Sequence, residues 1–181
     1  VGDLVGFAGN PMGSYTEEQI LPASFVVPVP STIYPIVGAA IMLKGMTAQF
    51  LLRRCFKVEP RHTILVHAAA GEVGFLLSMG SFFGSEDKDT FQGSLECLAF
   101  RGYMVSFGQS SGAIDRVPLS ALAPRSLFLT QPSMMQYTAT REELLETAGE
   151  LFANVASGVL RVRVTKTYPL AEAAKAHADL E

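Results

Sequence analysis

The feature that most constrains the fold is an apolar run that leads directly into a glycine-containing turn. Residues 63–67 form the run, residues 68–70 are alanines, and Gly71 and Gly74 follow. A short continuous apolar run is typical of a strand buried on both faces of a parallel sheet. Glycines at this spacing, between a predicted strand and a predicted helix, provide the context that a dinucleotide-binding turn requires. The segment therefore predicts an α/β fold with a phosphate-binding turn.

The chemistry of this turn supports that interpretation but leaves an alternative open. Gly71 allows the backbone to approach a pyrophosphate closely, Gly74 allows the helix to pack on the strand, and the first N–H groups of the helix can hold phosphates. Glu72 places a negative charge beside that position, which repels a diphosphate. Glycines after a strand also occur in ordinary turns, so the pattern alone does not decide between the two.

The remaining elements alternate between strands and helices. Further strands are predicted at 103–107, 127–130 and 160–165, after extended segments within residues 1–30. Helices are predicted at about 36–55, 90–99, 140–158 and from about 170. Thr140 and Glu143 form a capping box at the start of the third of these helices, and Gly158 ends it. This order indicates an α/β domain inserted into a second domain.

Composition excludes several classes of protein. Hydrophobic residues make up 49% and charged residues 17% of the 181 residues, which is typical of a globular protein. The net charge of −3, without a basic block, argues against a nucleic-acid partner. Cys55 and Cys97 lie far apart with no Cys or His at ligand spacing, so we expect no metal site. Apolar runs such as 37–43 are shorter than the roughly 20 residues of a membrane span, and the chain does not open with a secretory signal, so we expect a cytoplasmic protein.

Several segments together match one known family. They read VGD at 1–3, GSYTEE at 13–18, LPA at 21–23, MLKGMTA at 42–48, LVHAAAGEVG at 65–74, KDTF at 88–91, GYMVSFG at 102–108 and YTATR at 137–141. This combination resembles the zinc-free quinone oxidoreductases, relatives of zeta-crystallin in the medium-chain dehydrogenase/reductase superfamily. In that family, glycine usually occupies the position of Glu72.

The chain departs from the family's full pattern in length. Several dozen residues are absent between Gly74 and Asp89, including the family's second strand, and the first part of the GroES-like domain and the final strand have no match. The resemblance therefore implies an α/β fold with an incomplete Rossmann-like parallel sheet and remnants of a GroES-like β domain. We expect a partial GroES-like domain at 1–36, a shortened nucleotide-binding domain at 37–135 and a return to the catalytic domain at 136–181.

The resemblance also implies a function. Members of the family transfer hydride from NADPH to quinones or similar activated alkenes without a metal, and they form homodimers through elements that resemble strands 103–107 and 127–130. It identifies no catalytic acid or base here. The cofactor-binding positions that it implies are Ala70, Gly71, Val73 and Gly74 for the pyrophosphate turn, Thr47, Phe107, Gly108 and Ser111 around the nicotinamide, and Lys88 for the 2′-phosphate.

Two other functions remain open at this point. Residues 108–112 spell GxSxG after a strand, the nucleophile elbow of hydrolases, which would make Ser110 a nucleophile. The irregular sequence at 113–118 does not suit the helix that an elbow must enter, and His177 is the only histidine that follows. Because of the missing segments, the chain is also consistent with a shortened reductase that serves as a structural or interaction protein.

Overall fold

The computed structural model describes residues 1–9, 11–63, 65–66, 73, 91–107 and 116–180. By its internal contacts the chain divides into two compact units, Val1–Met46 with Thr138–Glu181, and Thr47–Tyr137. Assigning these units to a GroES-like domain and a nucleotide-binding domain, with the boundaries predicted above, remains a prediction.

Short strands and five α-helices make up the described part of the chain. The strands are β1 (Val5–Gly6), β2 (Val27–Pro28), β3 (Tyr103–Val105) and β4 (Phe128–Thr130). The α-helices are α1 (Pro35–Phe50), α2 (Phe91–Cys97), α3 (Met134–Tyr137), α4 (Arg141–Ala156) and α5 (Ala173–Ala178). A π-helix, Leu51–Cys55, directly follows α1, and 3-10 helices lie at Ala23–Phe25, Leu119–Ala121, Ala123–Arg125 and Leu170–Glu172.

The predicted helices are confirmed, with one change of geometry. Helix α4 begins at the expected capping box, in which Glu143 N–H donates to Thr140 Oγ1 at 3.2 Å and Thr140 N–H donates to Glu143 Oε2 at 3.1 Å. Gly158 adopts a left-handed conformation beyond the end of α4, as a helix stop requires. The predicted helix 36–55 continues after Phe50 as a π-helix, since Phe56 N–H bonds to Leu51 C=O at 3.2 Å, five residues back.

The core of the first unit forms where α4 packs on residues near the N-terminus. The side chains of α4 that are buried are Leu144, Thr147, Ala148, Leu151 and Phe152. This helix contacts β2 and the 3-10 helix Ala23–Phe25. Strand β1 pairs antiparallel with β2. The guanidinium of Arg141, at the start of α4, donates hydrogen bonds to the carbonyls of Ser24 and Val26, which fixes this end of the helix on the extended chain.

A parallel pair of strands forms the centre of the second unit. Strand β3 pairs with β4 in the register Tyr103↔Phe128, Met104↔Leu129 and Val105↔Thr130. On one face of this sheet, Phe91 and Leu95 of α2 pack against Met104. The Arg125 guanidinium donates to the carbonyls of Glu96 and Leu98, so it satisfies acceptors that the end of α2 leaves open.

The opposite face of the same sheet carries aromatic rings. Tyr103 and Phe128 are paired across the strands with ring centroids 4.4 Å apart and planes only 7° from parallel. The ring of Phe56, which follows the π-helix, lies 4.9 Å from Tyr103. Because side chains alternate along a strand, Met104 and Tyr103 face opposite sides of the sheet, and the sheet has apolar contacts on both faces.

Two predicted strands are wrong in the described residues. Thr63, Leu65 and Val66 lie outside any strand and Leu65 is 53% exposed, while Ile64 and His67 are outside the described residues. Residues 160–165 are also outside any strand. Within the described residues β3 and β4 pair only with each other. An apolar run becomes a strand only when a neighbouring strand accepts its backbone hydrogen bonds. Among the described residues, these two segments have no such neighbour.

The continuous helix Pro35–Cys55 is more apolar than the uninterrupted runs in the sequence suggest. Its 21 residues include a window of mean hydropathy 1.4, which is long and apolar enough to cross a membrane by these criteria alone. Of that window, 44% is buried inside the protein, and core helices of soluble proteins meet the same criteria. The helix is therefore weak evidence for a membrane span.

Gly45 in α1 provides a test of the packing in the first unit. A Cβ at this position would lie 2.5 Å from Leu151 Cδ1 and 2.9 Å from Ile41 Cγ1, and both neighbours are buried. We expect Gly45→Ala to lower the free energy of unfolding by about 1–2 kcal/mol, because the overlap outweighs the gain in helix propensity. Denaturation in urea measures the change.

Gly149 in α4 supplies the matched control, because a Cβ there would meet nothing within 4 Å. Gly149→Ala should raise the free energy of unfolding by roughly 0.5–1 kcal/mol, since only the helix propensity changes. Equal stabilisation by both substitutions would show that Leu151 does not pack closely on Gly45.

Candidate functional site

The carboxyl ends of β3 and β4 open into the same region of the second unit. Phe107 follows the end of β3, and residues 131–134 follow the end of β4 directly. Parallel strands bring their carboxyl ends to one edge of the sheet, which is where ligands bind in α/β folds. The chain thus places two loops, distant in sequence, beside each other at the edge expected to bind a ligand.

A cavity of about 550 Å³ lies at this edge. Its described lining consists of aromatic, polar and small side chains from three segments: Thr47, Phe50, Phe107, Gln131, Pro132, Ser133 and Met134. Phe50 is buried, whereas Gln131 and Ser133 are exposed. The volume falls within the range of roughly 300–1,000 Å³ that is common for small-molecule sites.

Thr47 connects helix α1 to the loop after β4. Its hydroxyl lies 3.7 Å from the sulfur of Met134, a residue 87 positions later in the chain. The Thr47 side chain is half-buried, so its hydroxyl faces a partly dehydrated space in which a hydrogen bond is stronger than in bulk water. Helix α1 therefore contributes both a polar group, Thr47, and an apolar one, Phe50, to the cavity.

A buried hydroxyl belongs to Ser106, the residue between the end of β3 and Phe107. Ser106 is 3% exposed, and its backbone N–H donates to the Thr130 carbonyl at 2.9 Å. Within the described part of the chain, Ser106 Oγ has no hydrogen-bond partner. A buried hydroxyl without a hydrogen-bond partner costs free energy, so a polar partner for Ser106 Oγ would stabilise the protein.

A cluster around Tyr137 lies behind Phe50. The two rings stack with centroids 5.0 Å apart and planes at 26°. The guanidinium of Arg54 donates a hydrogen bond to the Tyr137 carbonyl, and it also lies over the Tyr137 ring, 5.8 Å from the centroid. The Tyr137 hydroxyl and the Cys55 thiol form a side-chain hydrogen bond. Tyr137 is therefore held at its ring, its carbonyl and its hydroxyl.

The protonation of this cluster is set mainly by burial. Burial raises the pKa of the Cys55 thiol, and the hydrogen bond from Tyr137 partly offsets this effect. Burial, followed by the hydrogen bond and charge interaction with Cys55, raises the pKa of Tyr137, and Arg54 lowers it in part. Both groups consequently keep their protons at neutral pH, and the Tyr137 hydroxyl can donate to the sulfur.

The structure describes three of the predicted cofactor-binding residues. Thr47 and Phe107 both line the cavity, which brings together helix α1 and the end of β3. Val73 has a helical backbone and is half-buried, and it is not part of the cavity's described lining. The other predicted residues lie outside the described part of the chain: Ala70, Gly71, Gly74, Lys88, Gly108 and Ser111. The cofactor roles of all nine residues remain predictions.

Sequence reasoning missed most of the cavity lining. Phe50, Gln131, Pro132, Ser133 and Met134 were not proposed as site residues, although four of them directly follow the predicted strand 127–130. The rule that ligands bind at the carboxyl ends of parallel strands would have selected those four. Phe50 carried no such signal, because an aromatic residue in an apolar helix most often belongs to the core.

Metal-ligand geometry is a separate question. Among the residues that the structure describes, no group of three or more His, Cys, Asp or Glu side chains is placed to hold a metal ion. His62 contacts Phe56 instead, with ring centroids 5.1 Å apart, and its Nδ1 accepts a hydrogen bond from Glu59 N–H at 3.0 Å.

Comparison with known proteins shows the family. A family model described as zinc-binding dehydrogenase matches residues 76–181, more than half of the chain. The quinone oxidoreductase of Pseudomonas aeruginosa is 33% identical over 99% of this chain and 71% of its own length. The 2-haloacrylate reductase of a Burkholderia species is 32% identical over 98% of this chain and 70% of its own length.

A solved structure has the same architecture. The Escherichia coli quinone oxidoreductase complexed with NADPH superimposes with a TM-score of 0.92 at 33% identity, covering 99% of this chain and 72% of that chain. The predicted α/β class with a Rossmann-like sheet is confirmed by this neighbour.

The alignment also confirms the predicted internal shortening. It extends over 232 positions of the P. aeruginosa protein although this chain has 181 residues, so at least 51 aligned positions have no counterpart here. Because the alignment includes 99% of this chain, those positions lie within it and not beyond its ends. Their location between Gly74 and Asp89 remains a prediction.

These likenesses, in sequence and in structure, extend over almost the whole chain and agree with one another. The chain belongs to the quinone oxidoreductases of the medium-chain dehydrogenase/reductase superfamily, a family of oxidoreductases.

Proposed function

We propose that this protein is an NADPH-dependent reductase that transfers hydride to a quinone or a similarly activated alkene, without a metal. The observation that carries the proposal is the cavity at the carboxyl ends of β3 and β4, where Thr47 and Phe107 meet. Two relatives support the substrate class, since one is a quinone oxidoreductase and the other reduces 2-haloacrylate. Both names describe acceptors with an electron-poor double bond.

The residues of the cavity suit a nicotinamide ring. Phe50 and Phe107 supply flat apolar surface, and Thr47, Gln131 and Ser133 supply polar groups for a carboxamide or a carbonyl oxygen. A planar ring with one polar substituent matches this mixture of walls and polar groups.

The side chains of this chain bind and orient the reactants. Bound NADPH supplies the hydride, so the protein contributes position, dehydration and charge. Phe50 and Phe107 exclude water from one side of the cavity, which strengthens the hydrogen bonds made within it. In this proposal the Thr47 hydroxyl, which donates to the Met134 sulfur in the structure, exchanges that weak hydrogen bond for one to an oxygen of the reactants. Gly71, Val73 and Gly74 hold the pyrophosphate in this proposal, and Lys88 pairs with the 2′-phosphate.

The same proposal includes a metal-free reaction, a homodimer and a cytoplasmic location. Support for a metal-free reaction comes from the sequence, in which the two cysteines do not form a ligand pair. Support for a homodimer comes from the resemblance of strands 103–107 and 127–130 to the elements through which the family associates.

A second candidate function is a catalytically impaired reductase that serves as an interaction or structural protein. The specific observation in its favour is the loss of at least 51 aligned positions of the P. aeruginosa relative, counted as 232 aligned positions against 181 residues. Removing strands leaves backbone groups of the neighbouring strands unpaired, which favours association with another chain.

Titration with NADPH separates the two candidates. Fluorescence of the cofactor, followed at increasing protein concentration, should give a micromolar Kd, and the complex should then reduce a soluble quinone. The reductase proposal fails if no binding is detected at millimolar cofactor, and the interaction protein then remains.

Thr47→Val tests the hydroxyl in the cavity wall. The substitution keeps the side chain's shape and removes one hydrogen bond, so kcat/KM for the quinone should fall about tenfold, equivalent to ~1.4 kcal/mol. Thr165→Val is the matched control because Thr165 is exposed and does not line the cavity, and its kcat/KM should not change. Equal kinetics for the two variants would remove Thr47 from the site.

Lys88→Ala tests the proposed phosphate contact. It should raise the Kd for NADPH about tenfold and leave the Kd for NADH unchanged, because only NADPH carries the 2′-phosphate. Lys57, an exposed lysine, gives the control Lys57→Ala, which should alter neither Kd. If both cofactors weaken equally in Lys88→Ala, the lysine does not bind the 2′-phosphate.

A further inference from the structure

We infer that Tyr137 is a positioning residue for the cavity: its stacked ring holds Phe50 in the wall that faces the reactants. The inference rests on the proposed function, because it assigns a role at the same site. Tyr137 does not line the cavity itself, and it acts through Phe50, which does.

Tyr137 is fixed from several directions. Phe50 stacks on its ring, the Arg54 guanidinium binds its carbonyl and covers its ring, and Cys55 bonds to its hydroxyl. All of these contacts come from three residues within 50–55, at the junction between α1 and the π-helix. A ring held from several sides has few alternative rotamers, so it limits the rotamers of the ring stacked on it.

Tyr137 ends the segment that follows β4. Helix α3 spans Met134–Tyr137, and its first residue lines the cavity together with Gln131, Pro132 and Ser133. Tyr137 therefore anchors the far end of the segment that leaves β4 and forms one wall. Phe50 belongs to the other wall, so the stacked pair sets the spacing between the two walls.

The π-helix contributes two of the residues that contact Tyr137. Successive residues of a regular α-helix are rotated by about 100° about the helix axis, whereas those of a π-helix are rotated by less. The directions of the side chains of residues 54 and 55 therefore differ between the two forms. Leu51–Cys55 adopts the π form, and from it both Arg54 and Cys55 reach Tyr137. π-Helical turns within helices are frequent at functional sites, and here the turn supplies the contacts that fix one residue.

A double-mutant cycle tests the inference. Phe50→Leu, Tyr137→Leu and the double variant are compared by kcat/KM for the quinone, by the Kd for NADPH and by the free energy of unfolding. Each single variant should lower kcat/KM about tenfold, and the double variant should lose about three- to tenfold less than the product of the two, because both remove the same stacked wall. The Kd for NADPH should rise by less than kcat/KM falls, since only the contact with the nicotinamide ring is changed and the proposed pyrophosphate contacts lie elsewhere.

A second stacked pair in the same unit is the control. Tyr103 and Phe128 stack at 4.4 Å but lie at the amino ends of their strands and do not line the cavity. Tyr103→Leu, Phe128→Leu and their double variant should show coupling in the free energy of unfolding and almost none in kcat/KM. Coupling in kcat/KM of the same size for both pairs would mean that Tyr137 has only a structural role.

Conservative variants separate the ring from the hydroxyl. Tyr137→Phe keeps the stack and loses the bond to Cys55, so its kcat/KM should stay within about twofold of the wild type. Arg54→Lys loses the planar group over the ring and should lower kcat/KM, with no further loss in the Phe50→Leu background. This pair of variants tests the inference even if Tyr137→Leu does not fold.

A measurement without cofactor completes the test. Amide hydrogen exchange of Gln131, Ser133 and Met134 should become about tenfold faster in Tyr137→Leu and stay unchanged in Tyr103→Leu, because only the former releases the segment after β4. Suppose that the wild type is active, that the effects of Phe50→Leu and Tyr137→Leu on kcat/KM are additive, and that the amide exchange is unchanged. This result overturns the inference about Tyr137 and leaves the proposed function standing. A wild type that binds no NADPH at millimolar cofactor overturns the proposed function and this inference with it.

Discussion

The parallel pairing of β3 with β4 is the interaction on which the candidate site depends. Three residue pairs set its register, and they direct both strands toward the same edge. An antiparallel pairing of the same segments would place Phe107 and Gln131 at opposite ends of the sheet. Because the strands are short, contacts of α2 on one face and of Phe56 on the other contribute to holding them together.

Aromatic contacts contribute to the stability of the described part of this sheet. Parallel sheets are normally buried on both faces and continue through neighbouring strands. The described part of the sheet has two strands, and the Tyr103–Phe128 pair adds contact area between them. The family's architecture is nevertheless retained, as the TM-score of 0.92 to the E. coli structure shows.

Local elements were predictable because their signals are short-range. The capping box of Thr140 and Glu143 involves residues three apart, so the start of α4 followed directly from the sequence. Strands β3 and β4 were also found from their apolar runs. The run at 63–67 carried the same signal, but its described residues are not in a strand, because a strand depends on a neighbour that the run itself does not specify.

The candidate site was predictable only in part for a related reason. Thr47 and Phe107 came from motifs that resemble a known family, whereas Phe50, Gln131 and Ser133 belong to no motif and were missed. The sequence by itself determined the family, the helices with local caps and two strands, since each depends on neighbouring residues or a joint pattern. Only the tertiary structure decided that Thr47 meets Met134, 87 residues away, and that Phe50 stacks on Tyr137. Such contacts depend on strand pairing and on the turn of the π-helix, which no local pattern encodes.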